Sequence, residues 1–269
     1  MQGESLRREA YVQEIDLAMQ RIIGSHKLCE GRGIITKLVK NKSTGFPKSV
    51  AKICKCGRKF DIVSRFILSG FSRDNLINQK IYKKTVVDAI TGDDVDLNSK
   101  IVHPFIKHIK KVVNNPYGLI FLGKHGTGKT FVGQKILYYA LGNQLTAHYV
   151  ELSEFLSLLR RGFDEKLTGL INEISHVDIL MIDEIGNESK RSGFALGGFK
   201  SLYKKRVERN QPTILVSNFS YPEFKKAYGK SIESIASSYA QILDFGKVSD
   251  VRKLKATVEM DAFLKRIRN

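Results

Sequence analysis

Residues 119–130 read LIFLGKHGTGKT, and this stretch decides the fold. Gly123 to Thr130 fit G-x-x-x-x-G-K-T, the P-loop pattern. Gly123, Gly126 and Gly128 let the backbone turn tightly and bring its N–H groups against phosphate oxygens. Lys124, His125 and Thr127 fill the free positions of the same cradle. Lys129 is placed to neutralise the β- and γ-phosphates, and the Thr130 hydroxyl to ligate Mg²⁺. Residues 118–122 form a short apolar run of strand character that ends at the loop. Beyond it Ile136, Leu137, Ala140 and Leu141 recur at helical spacing, so a helix N-terminus also faces the phosphates. A glycine-rich turn can match the pattern by chance. A strand before it and a helix after it identify a nucleoside triphosphate site.

Two further strands belong to that site. Residues 179–182 (ILMI) are a continuous apolar run, as a buried parallel strand requires. The run ends in Asp183 and Glu184, the Walker B pattern. Asp183 is expected to hold Mg²⁺ and Glu184 to polarise the attacking water as general base. A hydrolytic base argues against a small-molecule kinase. Residues 213–217 (TILVS) are another buried strand, and Asn218 at its tip is a candidate to orient the lytic water or sense the γ-phosphate. Residues 147–152 read as a strand. Ser153 is the expected N-cap of a helix carrying Phe155, Leu156, Leu158 and Leu159 and ending in Arg160 and Arg161. Residues 101–113 read as a helix with Pro104 in its first turn. Residues 231–242 read as a further helix. Over residues 192–210, Lys200, Lys204, Lys205, Arg206 and Arg209 fall at near-helical spacing, either lining a nucleic-acid channel or making a solvated face.

The chain has 269 residues, a formal net charge of +18 and 42% hydrophobic residues. It can bury a core, and its surplus of cations favours a polyanionic partner, most simply nucleic acid. No run approaches the roughly 20 apolar residues of a membrane span. The charged N-terminus lacks a signal peptide's apolar core, and three cysteines do not suggest disulfides, so a cytoplasmic protein is expected.

The N-terminal third has its own pattern. Residues 4–23 read as a helix with Val12, Ile15, Met19 and Ile22 on one stripe. His26 and Cys29 form one close pair, Cys54 and Cys56 another. Residues 33–39 and 49–53 read as a hairpin between them, which brings the two pairs together. Three thiolates and one imidazole suit a closed, structural Zn²⁺ site. Buried cysteines beside a surface histidine are the alternative. The expected organisation is residues 1–75 as a helix plus zinc module, 76–98 as a linker, and 99–269 as the nucleotide domain.

These motifs, in this order, resemble the DnaC/DnaI helicase loaders and their IstB-like relatives within the AAA+ ATPases. HKLC and CKCG resemble the loaders' zinc pairs, with His26 in the place of a cysteine. GKHGTGKT, LMIDEIG and LVSN match Walker A, Walker B and sensor 1, and VELSEFLSLLRRGFDE resembles the family's single-stranded-DNA segment. The resemblance implies an α/β fold: an AAA+ P-loop parallel-sheet ATPase core without a full lid, preceded by a small helical, zinc-hairpin domain. It implies ATP, Mg²⁺ and structural Zn²⁺ as cofactors. It implies a DnaB-type hexameric helicase and single-stranded DNA as partners, with self-association or a helicase-templated ring. Phage or mobile-element origin is the expectation. Arg252 resembles the sensor 2 arginine. Where the family places an arginine that acts on a neighbour's ATP, the chain has Ser238. Such an arginine is worth ~10³-fold or more in rate. Arg206 and Arg209 are the candidate substitutes. An IstB-like transposition ATPase on duplex DNA and a weakly hydrolysing ATP-switch adaptor are the alternatives.

Overall fold

The computed structural model describes residues 27, 34–40, 47–57, 84–161, 171–172, 174–186 and 193–249. The chain divides into two compact units, Met1–Asn78 and Gln79–Asn269.

In the first unit, β1 (Ile34–Lys40) and β2 (Pro47–Ile53) form the expected antiparallel hairpin, in register from Ile34 opposite Ile53 to Lys40 opposite Pro47. Cys54 and Cys56, directly after β2, are buried. His26, Cys29 and the helix expected over residues 4–23 lie outside the described residues.

The second unit is built on a seven-stranded sheet. Its strands are β3 (Thr85–Asp88), β4 (Asp94–Asp96), β5 (Gly118–Leu122), β6 (Ala147–Glu151), β7 (Ile179–Ile185), β8 (Thr213–Ser217) and β9 (Ala240–Asp244). The spatial order is β4-β3-β9-β5-β8-β7-β6. The five strands from β9 to β6 run parallel, while β3 pairs antiparallel with both β4 and β9. The helices are α1 (His103–Lys107), α2 (Ile109–Val112), α3 (Lys129–Gly142), α4 (Leu152–Arg161), α5 (Gly193–Glu208) and α6 (Tyr221–Tyr239). This is the mostly parallel α/β architecture of an AAA+ P-loop core.

Every residue of β5 and β8 is buried, and in β7 only Glu184 is exposed. Buried parallel strands are apolar on both faces because helices cover both. One face of the sheet presents Ile120, Leu122, Leu180, Ile182 and Leu215 to the core that holds Phe155, Phe199, Tyr203 and Phe224. α3 packs against β6, β7 and β8, and Gly133 sits so near Met181 that a Cβ there would lie 2.7 Å from its sulfur.

Four expectations differ from the structure. Thr85–Asp88 and Asp94–Asp96, read as linker and acidic loop, form a hairpin that extends the sheet beyond β9. The Asp88 carboxylate turns that hairpin, accepting from the Ile90 and Thr91 amides. α4 begins at Leu152, straight off β6, so Ser153 lies inside the helix rather than capping it. The helix expected over 101–113 is broken at His108, after a π-helical turn at Leu97–Val102 capped by Asp96. Pro104 does sit in the first turn of α1. Finally, the 231–242 helix starts earlier, at Tyr221, kinks at Gly229 and stops at Tyr239. Ala240–Asp244 is strand, because β9 is needed to pair with the far side of β5.

Candidate nucleotide-binding site

The site forms where β5, β7 and β8 end side by side. β5 runs into the loop at Gly123, whose amide donates to Phe219 O at 2.8 Å. Gly123, Gly126 and Gly128 have φ of 116°, 79° and 85°, a region that only glycine enters at little cost. Thr127 is buried, and its hydroxyl donates to Lys124 O at 3.0 Å, closing the turn. Lys124 and His125 are exposed at the loop's tip. α3 begins at Lys129, so its first N–H groups point into the loop.

The Lys129 ammonium is buried and donates to Gly123 O at 2.5 Å, Lys124 O at 2.7 Å and Asn218 Oδ1 at 3.3 Å. Lys129 and Asn218, 89 positions apart in sequence, are therefore in contact. Thr130 and Asp183 meet as well, the threonine hydroxyl donating to the carboxylate. Burial raises the Asp183 pKa above the usual carboxylate range, against the Glu184 amide and the Thr130 hydroxyl, which lower it. A buried carboxylate beside a threonine hydroxyl is the donor pair that Mg²⁺ accepts, so these residues fit the ion.

Glu184 is exposed and has φ of 55°, unusual for a residue with a Cβ. The pairing of β7 with β8 is irregular between Ile182 and Ile185, and the irregularity turns Glu184 out of the strand. Gly186 follows with φ of 108°, and a Cβ on it would lie 2.6 Å from the Phe219 ring. Ser217 ties the tips of β7 and β8 together by donating to Ile185 O at 2.5 Å.

Two site residues carried no motif. The Tyr149 hydroxyl lies 3.3 Å from Asp183 Oδ2 as a donor. It comes from β6, where pairing sets Tyr149 beside Met181 and Glu151 beside Asp183. Lys84, just ahead of β3, donates from its ammonium to Thr127 O. An outward tyrosine on a strand and a lysine in a basic cluster look ordinary in sequence; only sheet order puts them here.

Other expected residues fall elsewhere. Arg206 is fully buried, donating from Nε to Thr213 Oγ1 at 3.0 Å and from its two amino groups to Ser175 O, Val177 O and Pro212 O. It holds the start of β8 to the start of β7 and is closed to a neighbour's nucleotide. Burial lowers its pKa to about 9, which leaves it charged at neutral pH. Lys200, Lys204 and Lys205 are exposed on α5, and Arg209 is exposed just beyond its end. Ser238 lines a 560 Å³ cleft with Tyr117, Gly118 and Ala240, at the starts of β5 and β9 and so at the opposite end of the sheet from Lys129. Arg252 lies outside the described residues.

Comparison with known proteins fits this geometry. The chain is 31% identical to the replicative helicase loader DnaI of Bacillus subtilis (strain 168) over 109 residues, 40% of this chain and 35% of that protein. It is 26% identical to the replicative helicase loader DnaC of Escherichia coli (strain K12) over 129 residues, 47% of this chain and 52% of that protein. It thus spans about half, or less, of these relatives. Among solved structures, a DNA replication initiation factor superposes with a TM-score of 0.50 at 17% identity, covering 62% of this chain and 50% of the other, a likeness of fold. The family described as IstB-like ATP binding protein matches residues 84–244, from the lysine ahead of β3 to the end of β9. The whole sheet and its phosphate loop lie within those limits, and the chain belongs to that family.

Proposed function

We propose that the protein is an ATP-hydrolysing loader of a DnaB-type replicative helicase that engages single-stranded DNA and assembles as, or on, a ring. The observation that carries the chemistry is the cluster Lys129–Asn218 and Thr130–Asp183–Glu184 at three adjacent strand ends. The loader role rests on the two relatives named replicative helicase loaders.

In this reading Gly123 to Thr130 wrap the phosphates of ATP, and Thr130 and Asp183 hold Mg²⁺. The bound ion neutralises phosphate charge. Lys129 leaves its loop carbonyls for the β- and γ-phosphates. Glu184, turned outward by the β7 irregularity, takes a proton from the attacking water. Asn218 orients that water or reads the γ-phosphate. Arg252 is assigned the sensor 2 role. Residues 1–75 are assigned helicase docking, with His26, Cys29, Cys54 and Cys56 on a structural Zn²⁺. No group of three or more possible metal ligands occurs among the described residues, which include only the two cysteines of that set.

The test is direct. The full chain is mixed with a DnaB-type helicase, a non-hydrolysable ATP analogue and single-stranded DNA, and the complexes are weighed by mass photometry. A helicase–loader complex is expected, and with ATP in place of the analogue a separate phosphate-release assay should show turnover altered by the DNA. Failure to bind any helicase from plausible hosts removes the loader role. One observation favours a second reading: the matching family is named for IstB. Nucleotide-dependent filaments on duplex DNA, with no helicase contact, would select that reading instead.

A further inference from the structure

Lys84 holds a place that the chemistry above does not use. Its ammonium donates to Thr127 O, at the closing end of the phosphate loop, while Lys129 donates to Gly123 O and Lys124 O at the opening end. Two lysines therefore grip opposite ends of one loop. A Cβ on Gly128 would lie 2.5 Å from the Lys84 Nζ, so this cation sits directly over the residue that caps α3. The sheet fixes the arrangement: Lys84 O accepts from Leu97 N at 2.9 Å, β3 pairs with β9, and the chain leaving β9 bonds back to Leu122 O just before the loop. Lys84 is half-buried, and that burial lowers its pKa.

A lone carbonyl cap is weak reason to desolvate a lysine and to order its long, flexible side chain. An anion on the same loop is a stronger one. The N–H groups at the start of α3 cradle the α- and β-phosphates, and the Walker lysine reaches the β- and γ-phosphates. We propose that Lys84 is a second phosphate-binding cation of the nucleotide site, serving the diphosphate portion shared by ATP and ADP. Its ammonium keeps the Thr127 carbonyl and offers its remaining donors to the α/β-phosphates. It lies immediately before β3, the first strand of the sheet unit, five residues beyond Gln79 where that unit begins.

The inference rests on the nucleotide-site reading, and Lys129→Ala tests that reading separately by removing nucleotide binding altogether. For Lys84 itself, affinities for ADP, ATP and adenosine are measured by calorimetry in the full chain. Lys84→Met keeps the stem and removes the charge. It is expected to weaken ADP and ATP by a similar factor, about tenfold, and to leave adenosine unchanged. Lys84→Arg is expected to stay within threefold of the parent, and the salt dependence of ADP binding to become shallower in Lys84→Met only. Full ADP affinity in Lys84→Met, or equal losses in the Met and Arg variants, would overturn the proposal. A probe of the unaltered protein guards against a variant that does not fold. Acetylation of Lys84 by an N-hydroxysuccinimide ester, read by mass spectrometry, should slow at least fivefold in saturating ADP. An unchanged rate overturns the proposal equally.

Discussion

Glu184, the proposed general base, is held in an unusual backbone state. A non-glycine residue at φ 55° costs about 1–3 kcal/mol, which the irregular pairing between β7 and β8 imposes and sustains. Glu184→Gln keeps the side chain's length and removes its basicity. ATP turnover is expected to fall ~10²–10⁴-fold while nucleotide affinity is retained, measured by phosphate release and calorimetry. Tyr149 acts through another residue. Its hydroxyl donates to Asp183 Oδ2, and if Asp183 holds Mg²⁺ as proposed, removing that bond costs about 10–100-fold in metal affinity. Tyr149→Phe should therefore raise the Mg²⁺ concentration for half-maximal turnover by about tenfold, with the thermal midpoint nearly unchanged. Arg206 is a different case, since its partners are Thr213, Ser175, Val177 and Pro212 and none is a nucleotide. Arg206→Ala strands two buried carbonyls, of Val177 and Pro212, and a part-buried one at Ser175, each buried one left unpaired at about 1–3 kcal/mol. Chemical denaturation should show a loss of at least ~3 kcal/mol. An arginine that acted on a neighbour's ATP would instead lose turnover with stability intact.

The elements that form the site were the legible ones in sequence. β5, β7 and β8 each carry an uninterrupted apolar run (residues 119–122, 179–182 and 214–216) because they lie between helix layers, and such runs announce themselves without neighbours. The phosphate loop adds glycines at set spacings. The sheet's margin was not legible. Thr85–Asp88 and Asp94–Asp96 carry polar residues because one edge faces solvent, so they read as linker. Ala240–Asp244 continues the helical spacing of α6, and only its pairing with β5 makes it strand. The same pairing logic makes Gly118 a sharp test of the central strand. A Cβ at this position would lie 2.0 Å from Thr213 O, a backbone atom that cannot rotate away. Gly118→Ala must push β5 off β8, and with it the loop that β5 carries. Overpacking of this kind costs roughly 1–3 kcal/mol or more. The expected result is a denaturation midpoint lowered accordingly, together with weakened nucleotide binding, although the residue lies at the far end of the strand from the phosphates.

At the scale of the whole molecule the net charge of +18 favours a polyanionic partner, and its distribution offers a place to look. On α5 the buried side presents Phe199, Leu202, Tyr203 and Arg206 to the core, while Lys200, Lys204, Lys205 and, just past the helix, Arg209 are exposed. One neighbouring acid, Glu208, lies 3.6 Å from Lys204, with both side chains more than half exposed, so that pair neutralises little. The sequence showed this cluster without separating Arg206 from it; burial does. If these lysines meet a DNA backbone, each phosphate neutralised adds about 0.7 to the slope of log affinity against log salt for a single strand. Replacing Lys200, Lys204 and Lys205 together by Gln should then make the slope shallower by about 2. It should also weaken binding at low salt while leaving ATP affinity untouched. Fluorescence anisotropy with a labelled oligonucleotide over a salt series measures both. A slope equal to that of the parent would show the face to be merely solvated and move the search to α4, where Arg160 is exposed and Glu154 lies in the first turn. Comparing duplex with single-stranded oligonucleotides in the same series separates the loader reading from the filament reading, because the two readings require opposite preferences.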